Sequence, residues 1–226
     1  MNQFVMITGA SKGLGRSLAT IFAEYQHNVI IHGRDIQNLR ITQEEVHKRG
    51  SRCCIVGGDL RDHRTLEELI QRAREYNIIT LIHNAGADVC QPFEKISARD
   101  VEEVLTTDLL APIYVSQEIY AMFVKRQEGT IIAINSIAGL ENQNHRSLYC
   151  AARWGLRGFM DTLRLEATPH NIHLLSVYPS RIKTKPHFTY GMEPQYVAER
   201  IYRASRDFKI DNLILDERPE KFKKNE

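Results

Sequence analysis

Short apolar runs rich in β-branched residues recur along the chain, and each is bounded by glycine or polar residues. Runs of this length and composition are typical of buried β-strands. On this pattern the sequence predicts strands at residues 4–8, 29–32, 53–56, 78–83, 130–135, 172–178 and 213–215.

The segments between these runs repeat their apolar residues at helical spacing. Helices are predicted at residues 14–25, 36–49, 65–76, 101–126, 149–167 and 194–204. Because strand and helix alternate about six times, the pattern predicts an α/β fold, a doubly wound parallel sheet with helices on both faces. We assign residues 1–215 to a single domain and residues 216–226 to a charged, solvated C-terminal tail.

Composition and charge exclude several classes of function. Of the 226 residues, 42% are hydrophobic and 26% are charged, and 30 basic residues balance 28 acidic ones. A net charge of +2 argues against a nucleic-acid or membrane-surface partner. The longest apolar runs are shorter than the roughly 18 residues of a membrane helix, and the first residues lack the pattern of a signal peptide.

The cysteines do not form a metal-binding or disulfide pattern. They are Cys53, Cys54, Cys90 and Cys150, and no two of them have the C-x-x-C spacing. We therefore expect reduced thiols, no metal ion and a cytoplasmic location.

A glycine-rich turn directly follows the first predicted strand. It has the sequence TGASKGLG at residues 8–15, and the next helix is predicted to begin at Gly15. Free N–H groups and the helix dipole at such a turn bind phosphate, provided that no Cβ blocks the approach. A merely tight turn is the alternative, but the strand before it and the helix after it favour nucleotide binding.

The spacing of Gly9, Gly13 and Gly15 resembles the glycine motif of the short-chain dehydrogenase/reductase family. The family's other markers follow in order, and they are Asp59-Leu60, Asn84-Ala85-Gly86, Ser136, Tyr149 and residues 179–184. The resemblance extends from residue 4 to about residue 200 and implies a Rossmann-type sheet of about seven strands. It also implies an oxidoreductase that transfers hydride between a nicotinamide cofactor and a small carbonyl or alcohol substrate.

The resemblance implies a set of cofactor contacts. Residues 11–14 would wrap the pyrophosphate, Asp59 and Leu60 would contact the adenine, and residues 84–86 would contact the adenosine. Where the family has Pro-Gly after the sixth strand, this chain has Pro179 followed by Ser180. Ser180 is as consistent with an ordinary loop residue as with a functional one. The implied set is Gly9, Ser11, Lys12, Gly13, Leu14, Gly15, Arg34, Asp59, Leu60, Asn84, Ala85, Gly86, Tyr149, Arg153, Pro179, Ile182 and Thr184.

The end of the second strand bears on the choice between NADP and NAD. A carboxylate there bonds the adenosine ribose and repels a 2′-phosphate. Gly33 occupies the family's acidic position, and Arg34 and Lys12 place two cations nearby. The sequence therefore predicts NADP. NAD remains the alternative if Asp35 turns toward the ribose or if both cations are ordinary surface residues.

Four positions are implied to be catalytic. Tyr149 would act as general acid/base, and Ser136 would hydrogen-bond the substrate oxygen. Arg153 replaces the family's lysine and Asp108 replaces its asparagine. A lysine at this position bonds the cofactor ribose, makes the tyrosine more acidic and relays a proton. Arginine keeps the charge but does not deprotonate, so it cannot relay.

A buried carboxylate at Asp108 needs a partner, and we predict an ion pair with Arg153. At an effective dielectric near 20, a cation about 4 Å from the phenol stabilises the ionised tyrosine by about 4 kcal/mol. A carboxylate about 6 Å away removes roughly 2.8 kcal/mol of this stabilisation. The sequence thus predicts a reductase that is slow or works best at alkaline pH. The alternative is an NADP(H)-binding protein with lost or weak catalysis, such as a cofactor sensor or scaffold subunit.

Two segments above the nicotinamide, residues 139–146 and 185–192, are expected to set substrate specificity around an open pocket. His145, Arg146 and His187 would contact an anionic substrate there or simply be solvated. The predicted helices at 101–126 and 149–167 resemble those that pair subunits in the family. They predict a homodimer or homotetramer, unless they merely cover the sheet.

Overall fold

The computed structural model describes residues 3–184, 188 and 190–219. Within these residues the chain forms one domain with one sheet of seven strands. The strands are β1 (Gln3–Ile7), β2 (Asn28–Gly33), β3 (Cys53–Gly57), β4 (Asn77–His83), β5 (Gly129–Ile134), β6 (Ile172–Pro179) and β7 (Asn212–Leu215). All neighbours pair in parallel, in the order β3-β2-β1-β4-β5-β6-β7. The predicted fold class is confirmed.

Helices cover both faces of the sheet. They are α1 (Gly13–Glu24), α2 (Ile36–His47), α3 (His63–Glu75), α4 (Ala98–Leu105), α5 (Ala111–Arg126), α6 (Ser147–Ala167) and α7 (Pro194–Ser205). Helices α1, α2 and α7 contribute to one apolar core, and α3, α5 and α6 contribute to the other. No helix of the described residues is long and apolar enough to span a membrane.

The first strand shows how one apolar run serves two cores. Phe4 and Met6 belong to the core with α3, α5 and α6, while Val5 and Ile7 belong to the core with α1, α2 and α7. Successive side chains of a strand point to opposite faces, so a strand covered on both sides needs apolar residues throughout.

Several helix predictions were wrong in their bounds. Helix α1 begins at Gly13 rather than Gly15. The single helix predicted at 101–126 is divided into α4 and α5 by a turn of π-helix, Thr106–Leu110. A π turn widens the helix by one residue per turn. Asp108 lies in this turn, and its carboxylate accepts a hydrogen bond from the N–H of Ala87 outside the helix.

The described part of the C-terminal tail is packed more closely than the solvated segment we expected. The N–H of Glu217 donates to Ser180 Oγ at 3.3 Å. Arg218 forms ion pairs with Asp216 at 2.8 Å and with Glu141 at 2.5 Å, and its side chain is only 14% exposed. The backbone of Glu217 and the side chain of Arg218 are therefore tied to the domain through Ser180 and Glu141.

The topology places a candidate site where the strand order reverses, between β1 and β4. In open parallel sheets, ligands bind outside the carboxyl ends of the strands at such a switch point. Hydrogen bonds join the two loops here, because Asn84 Nδ2 donates to the carbonyl oxygens of Thr8 and Gly9 at 3.0 and 2.9 Å. The glycine turn after β1 is thus held against the segment after β4.

Candidate active site

The glycine turn has the backbone geometry of a phosphate cradle. Gly9 and Gly13 have φ angles of +68° and +56°, in the left-handed region that favours glycine. A Cβ on Gly9 would lie 2.7 Å from Ala85 Cα, and one on Gly15 would overlap the carbonyl of Gly9. Lys12, the N-cap residue of α1, makes no side-chain hydrogen bond to the helix. The first N–H groups of α1 therefore lack a side-chain cap and suit an anion.

A cavity of about 280 Å³ opens beside this turn. Its walls come from the ends of β1, β2, β3 and β4 and from helix α4. The lining residues are Gly9, Ser11, Lys12, His32, Gly33, Arg34, Asp35, Asp59, Leu60, Asn84, Ala85, Gly86, Ala87, Glu103 and Thr107. The structure thus brings together nine of the predicted cofactor residues, and it adds Glu103, which sequence reasoning missed.

The remaining predicted cofactor residues are not in the lining of this cavity. Leu14 is buried in the core beneath the turn, and Pro179 ends β6. Thr184 lies against the turn, since a Cβ on Gly13 would be 2.9 Å from Thr184 Cγ2. Ile182 forms an isolated bridge with Met192.

At the end of β2, the packing around Gly33 leaves no room for an acidic side chain. A Cβ on Gly33 would overlap Ser11 Oγ, so any side chain there would displace the serine. Asp35 does not replace the missing carboxylate. Its Oδ1 accepts from the N–H of Asn38 at 3.0 Å and its Oδ2 accepts from Asn38 Nδ2 at 2.6 Å, which caps α2. These hydrogen bonds from Asn38 lower the pKa of Asp35.

Arginines hold the carboxylate of Asp59. Arg61 binds both of its oxygens, with Nε–Oδ1 and Nη2–Oδ2 distances of 3.1 and 2.7 Å. Arg34 Nη1 lies 3.8 Å from the same carboxylate and 3.1 Å from Glu103 Oε1. The hydrogen bond from Arg61 lowers the pKa of Asp59 to about 2. Asp59 is therefore ionised and already paired.

Asp108 and Arg153 form the ion pair that the sequence predicted. Arg153 Nη2 lies 2.7 Å from Asp108 Oδ2, and the two side chains are 7% and 0% exposed. Arg153 Nη1 also donates to the carbonyl oxygen of Ile134 at 2.9 Å, and the N–H of Ala87 donates to Asp108 Oδ1 at 2.6 Å. The pair thus joins α6 to the loops that follow β4 and β5.

The two charged groups are close, but some of their polar atoms lack a hydrogen-bond partner among the described residues. Asp108 Oδ2 and Arg153 Nε have no aligned hydrogen-bond partner among the described residues, so the 2.7 Å contact is a charge–charge contact. Burial raises the pKa of the Asp108 carboxyl to about 6, although Arg153 and the N–H of Ala87 act in the opposite direction. Burial is thus the largest influence on the protonation of this carboxyl.

Tyr149 lies beside two arginines. The guanidinium carbon of Arg153 is 4.9 Å from the centre of the Tyr149 ring, and that of Arg146 is 5.2 Å from it. Arg146 in turn forms an ion pair of 3.2 Å with Asp88. Cations at this distance from an aromatic face are attracted to it. Arg146 and Asp88 were not predicted to face Tyr149.

Ser136 follows β5 and begins a short 3-10 helix, Ile137–Gly139, whose Ala138 N–H donates to Ser136 Oγ at 3.2 Å. Its neighbour Asn135 is buried. Asn135 Oδ1 accepts from the N–H of Ser136 at 2.9 Å, and Asn135 Nδ2 donates to the carbonyl oxygen of Arg153 at 3.0 Å. Asn135 therefore connects the serine to the helix that carries Tyr149 and Arg153. The only indication of this connecting role in the sequence was that Asn135 is a polar residue at the end of an apolar strand.

The segments expected to bind substrate are partly described. Two contacts join the ends of the second segment. Ile182 forms a β-bridge with Met192, and the N–H of Lys183 donates to the carbonyl oxygen of Met192 at 2.9 Å. Residues 185, 186 and 189 and the candidate His187 lie outside the described residues.

A larger cavity, of about 680 Å³, lies on another side of α6. Its lining includes Ser147, Cys150, Ala151 and Trp154, together with Phe93 and residues 142–145. These α6 residues follow the spacing of one helix face, which differs from the face of Tyr149 and Arg153. His145 is thus in the lining of this cavity, and the predicted catalytic residues are not.

A family model described as short chain dehydrogenase matches residues 3–189. The chain belongs to the short-chain dehydrogenase family. A 3-oxoacyl-(acyl-carrier-protein) reductase of Aquifex aeolicus is 31% identical over 186 residues, which are 79% of this chain and 73% of the relative. A sepiapterin reductase of Chlorobaculum tepidum is 26% identical over 193 residues, covering 81% of this chain and 79% of the relative.

The fold is also that of solved short-chain dehydrogenases. A short-chain dehydrogenase from Sphingobium yanoikuyae, in complex with NADPH, superposes with a TM-score of 0.88 at 25% identity, covering 94% of this chain and 87% of that one. Membership of the short-chain dehydrogenase family identifies the chain as an oxidoreductase of this fold.

Proposed function

We propose that this chain is an NADP(H)-dependent oxidoreductase that transfers hydride between the nicotinamide and a small carbonyl or alcohol substrate. The observation that carries the proposal is the cavity at the uncapped N-terminus of α1, which the glycine turn, Lys12 and Arg34 line together. Similarity to a short-chain dehydrogenase in complex with NADPH supports it.

The cradle fits a dinucleotide. Gly9 and Gly15 let the turn pack closely against itself and against the segment after β4, where a Cβ would collide, and no side chain caps the helix behind it. The end of β2 favours the phosphorylated cofactor, because Gly33 brings no carboxylate and Asp35 is committed to capping α2. Lys12 and Arg34 are the cations of the cavity wall. In this proposal the predicted cofactor residues keep the contacts that the family resemblance implies.

The chemistry proposed for the protein is general acid catalysis. When bound, the cofactor supplies or accepts the hydride. Tyr149 donates its hydroxyl proton to the substrate carbonyl oxygen, and Ser136 hydrogen-bonds that oxygen. The guanidinium groups of Arg153 and Arg146, 4.9 and 5.2 Å from the Tyr149 ring centre, stabilise the negative charge left on the phenol.

The proton cannot return to Tyr149 through Arg153, since a guanidinium does not deprotonate in proteins. Asp108 also offsets the charge of Arg153 at 2.7 Å. These two features favour slow turnover, or turnover that is best at alkaline pH. They are also the observations that favour the second candidate, an NADP(H)-binding protein with weak or lost catalysis.

One experiment separates the two candidates. The purified protein is titrated with NADPH by calorimetry and then incubated with NADPH and a panel of small aldehydes and ketones, beside Tyr149→Phe. We expect both proteins to bind NADPH, and the variant to lose at least about a hundredfold in kcat/KM. Binding with equal, background oxidation in both proteins would favour the non-catalytic candidate. No binding of NADPH would contradict both.

A further inference from the structure

The cation expected to recognise a 2′-phosphate already has carboxylate partners. Arg34 Nη1 lies 3.1 Å from Glu103 Oε1 and 3.8 Å from Asp59 Oδ2. All three residues line the cavity beside the glycine turn. Glu103 reaches this cavity from α4, a helix that none of the predicted adenosine contacts uses. Any phosphate that binds Arg34 must therefore share it with these carboxylates or replace one of them.

The two carboxylates are not equivalent. Asp59 is held by two side-chain hydrogen bonds from Arg61 and by the N–H of the same residue at 3.0 Å. Its charge is matched and its position is fixed whether or not Arg34 is near. Glu103, in contrast, has its ion pair and its side-chain hydrogen bond with Arg34 alone among the described residues. Glu103 is thus the partner that Arg34 can exchange.

We propose that Glu103 is a cofactor-selectivity residue, a counter-ion of Arg34 that the 2′-phosphate of NADP(H) must displace. This inference rests on the proposed function, because it concerns the same cofactor. Arg34 can move to a phosphate, since its side chain is 63% exposed and that of Glu103 is 28% exposed. An exposed ion pair of this kind contributes little energy, so breaking it opposes binding only weakly.

The larger effect is repulsion after the exchange. A phosphate monoester carries about −1.5 to −2 charges at neutral pH, and the Glu103 carboxylate lies in the wall of the same cavity. NAD(H) has two hydroxyl groups at this end instead, and a carboxylate is a suitable acceptor for them. Glu103 should therefore weaken NADP(H) binding and leave NAD(H) binding unchanged or slightly stronger. It moderates the preference that Lys12 and Arg34 create.

The test is the affinity for NADPH and for NADH, measured by calorimetry at one low salt concentration. Glu103→Gln removes the charge and keeps the shape. We expect it to bind NADPH roughly five- to tenfold more tightly than the wild type and to change NADH affinity by less than about twofold. The gain should shrink when the titration is repeated at high salt, because the repulsion is screened.

Two further variants make the test specific. Glu102→Gln is the matched control, since it removes the same charge from an exposed position of α4 that does not line the cavity. Arg34→Ala should weaken NADPH binding selectively, and in that background Glu103→Gln should keep most of its gain, because the repulsion between Glu103 and the phosphate does not depend on the arginine. Thermal melting checks that each variant is folded, and Glu103→Ala repeats the test with a second side chain.

The outcomes are distinct. If Glu103→Gln binds NADPH no more tightly than Glu102→Gln does, the inference is overturned while the proposed function stands. An equal gain for NADPH and NADH would also overturn it, because the effect would then not arise at the 2′-phosphate. If the wild type binds neither cofactor, the proposed function fails and the inference fails with it.

Discussion

At the scale of single residues, Asp108 and Arg153 act as a pair. Each supplies the other's main charge partner at 2.7 Å in a buried site. An arginine binds a carboxylate better than it binds an amide, since its planar fork carries several donors. The presence of each residue therefore gives a physical reason for the presence of the other.

This pairing predicts energetic coupling. Arg153→Lys should lower the free energy of unfolding by up to roughly 3–5 kcal/mol, because it leaves Asp108 buried without a well-placed partner. Asp108→Asn should cost less, since burial already disfavours the ionised carboxyl and raises its pKa to about 6. The double variant should recover stability and gain turnover at neutral pH. Urea unfolding and kcat/KM are measured for the wild type, the two single variants and the double variant. If the effects of the single changes simply add, the residues do not couple.

The same pair has a pH signature with a definite sign. The pKa of Asp108 is raised from its ordinary value of 3.8 to about 6 in the folded protein. The stabilisation that goes with a raised pKa is complete below the unfolded value and is lost as pH rises through the folded value. Relative to Asp108→Asn, the wild type should therefore lose stability between about pH 4 and pH 6. A constant difference over this range would contradict the assignment.

Nine of the cofactor residues that the family resemblance implied line one cavity, because they lie in loops at the carboxyl ends of neighbouring strands. The partners of the site residues could not be predicted from the sequence. Glu103, Asn135 and the Arg146–Asp88 pair act across elements, and their contacts depend on side chains meeting in space. No spacing along the chain shows that α4 will place Glu103 beside Arg34.

At the scale of elements, strands were easier to predict than helix ends. Each strand lies within one residue of its prediction at either end, because a fully buried strand is apolar over its whole length. Helices α3 and α4 begin earlier than predicted, since Asp62 and Ser97 cap them before the first apolar residue. The π turn at Thr106–Leu110 leaves the apolar pattern unbroken, so that pattern could not reveal it.

Helix α2 gives a prediction that bears on the cofactor. Asp35 caps this helix, so Asp35→Ala should destabilise the protein by about 1 kcal/mol. Because its carboxylate is committed to Asn38, the variant should bind NADH as the wild type does. Asp62→Ala, which removes the cap of α3, is the matched control. A selective loss of NADH affinity in Asp35→Ala would show that this carboxylate turns to the ribose and favours NAD.

At the scale of the whole molecule, several exposed large apolar residues lie on one group of neighbouring helices. Exposed large apolar residues occur along α4, the π turn, α5 and α6, which pack beside one another, and they are Val101, Leu110, Tyr114, Trp154 and Leu165. Trp154 and Leu165 are eleven residues apart. Eleven residues make about three helical turns, so both lie on one side of α6. Apolar patches of this kind commonly mark an interface between proteins.

We predict that this surface pairs two copies of the chain, as a homodimer or within a homotetramer. A symmetric assembly covers the same patch on both subunits, which suits a surface made of adjacent helices. Light scattering at micromolar concentration should therefore give at least twice the monomer mass of 26.1 kDa. Tyr114→Glu and Leu165→Glu place charges in the patch and should shift the protein toward monomer. Ile41→Glu, on exposed α2, is the control that should not. A monomeric wild type would show instead that the helices only cover the sheet.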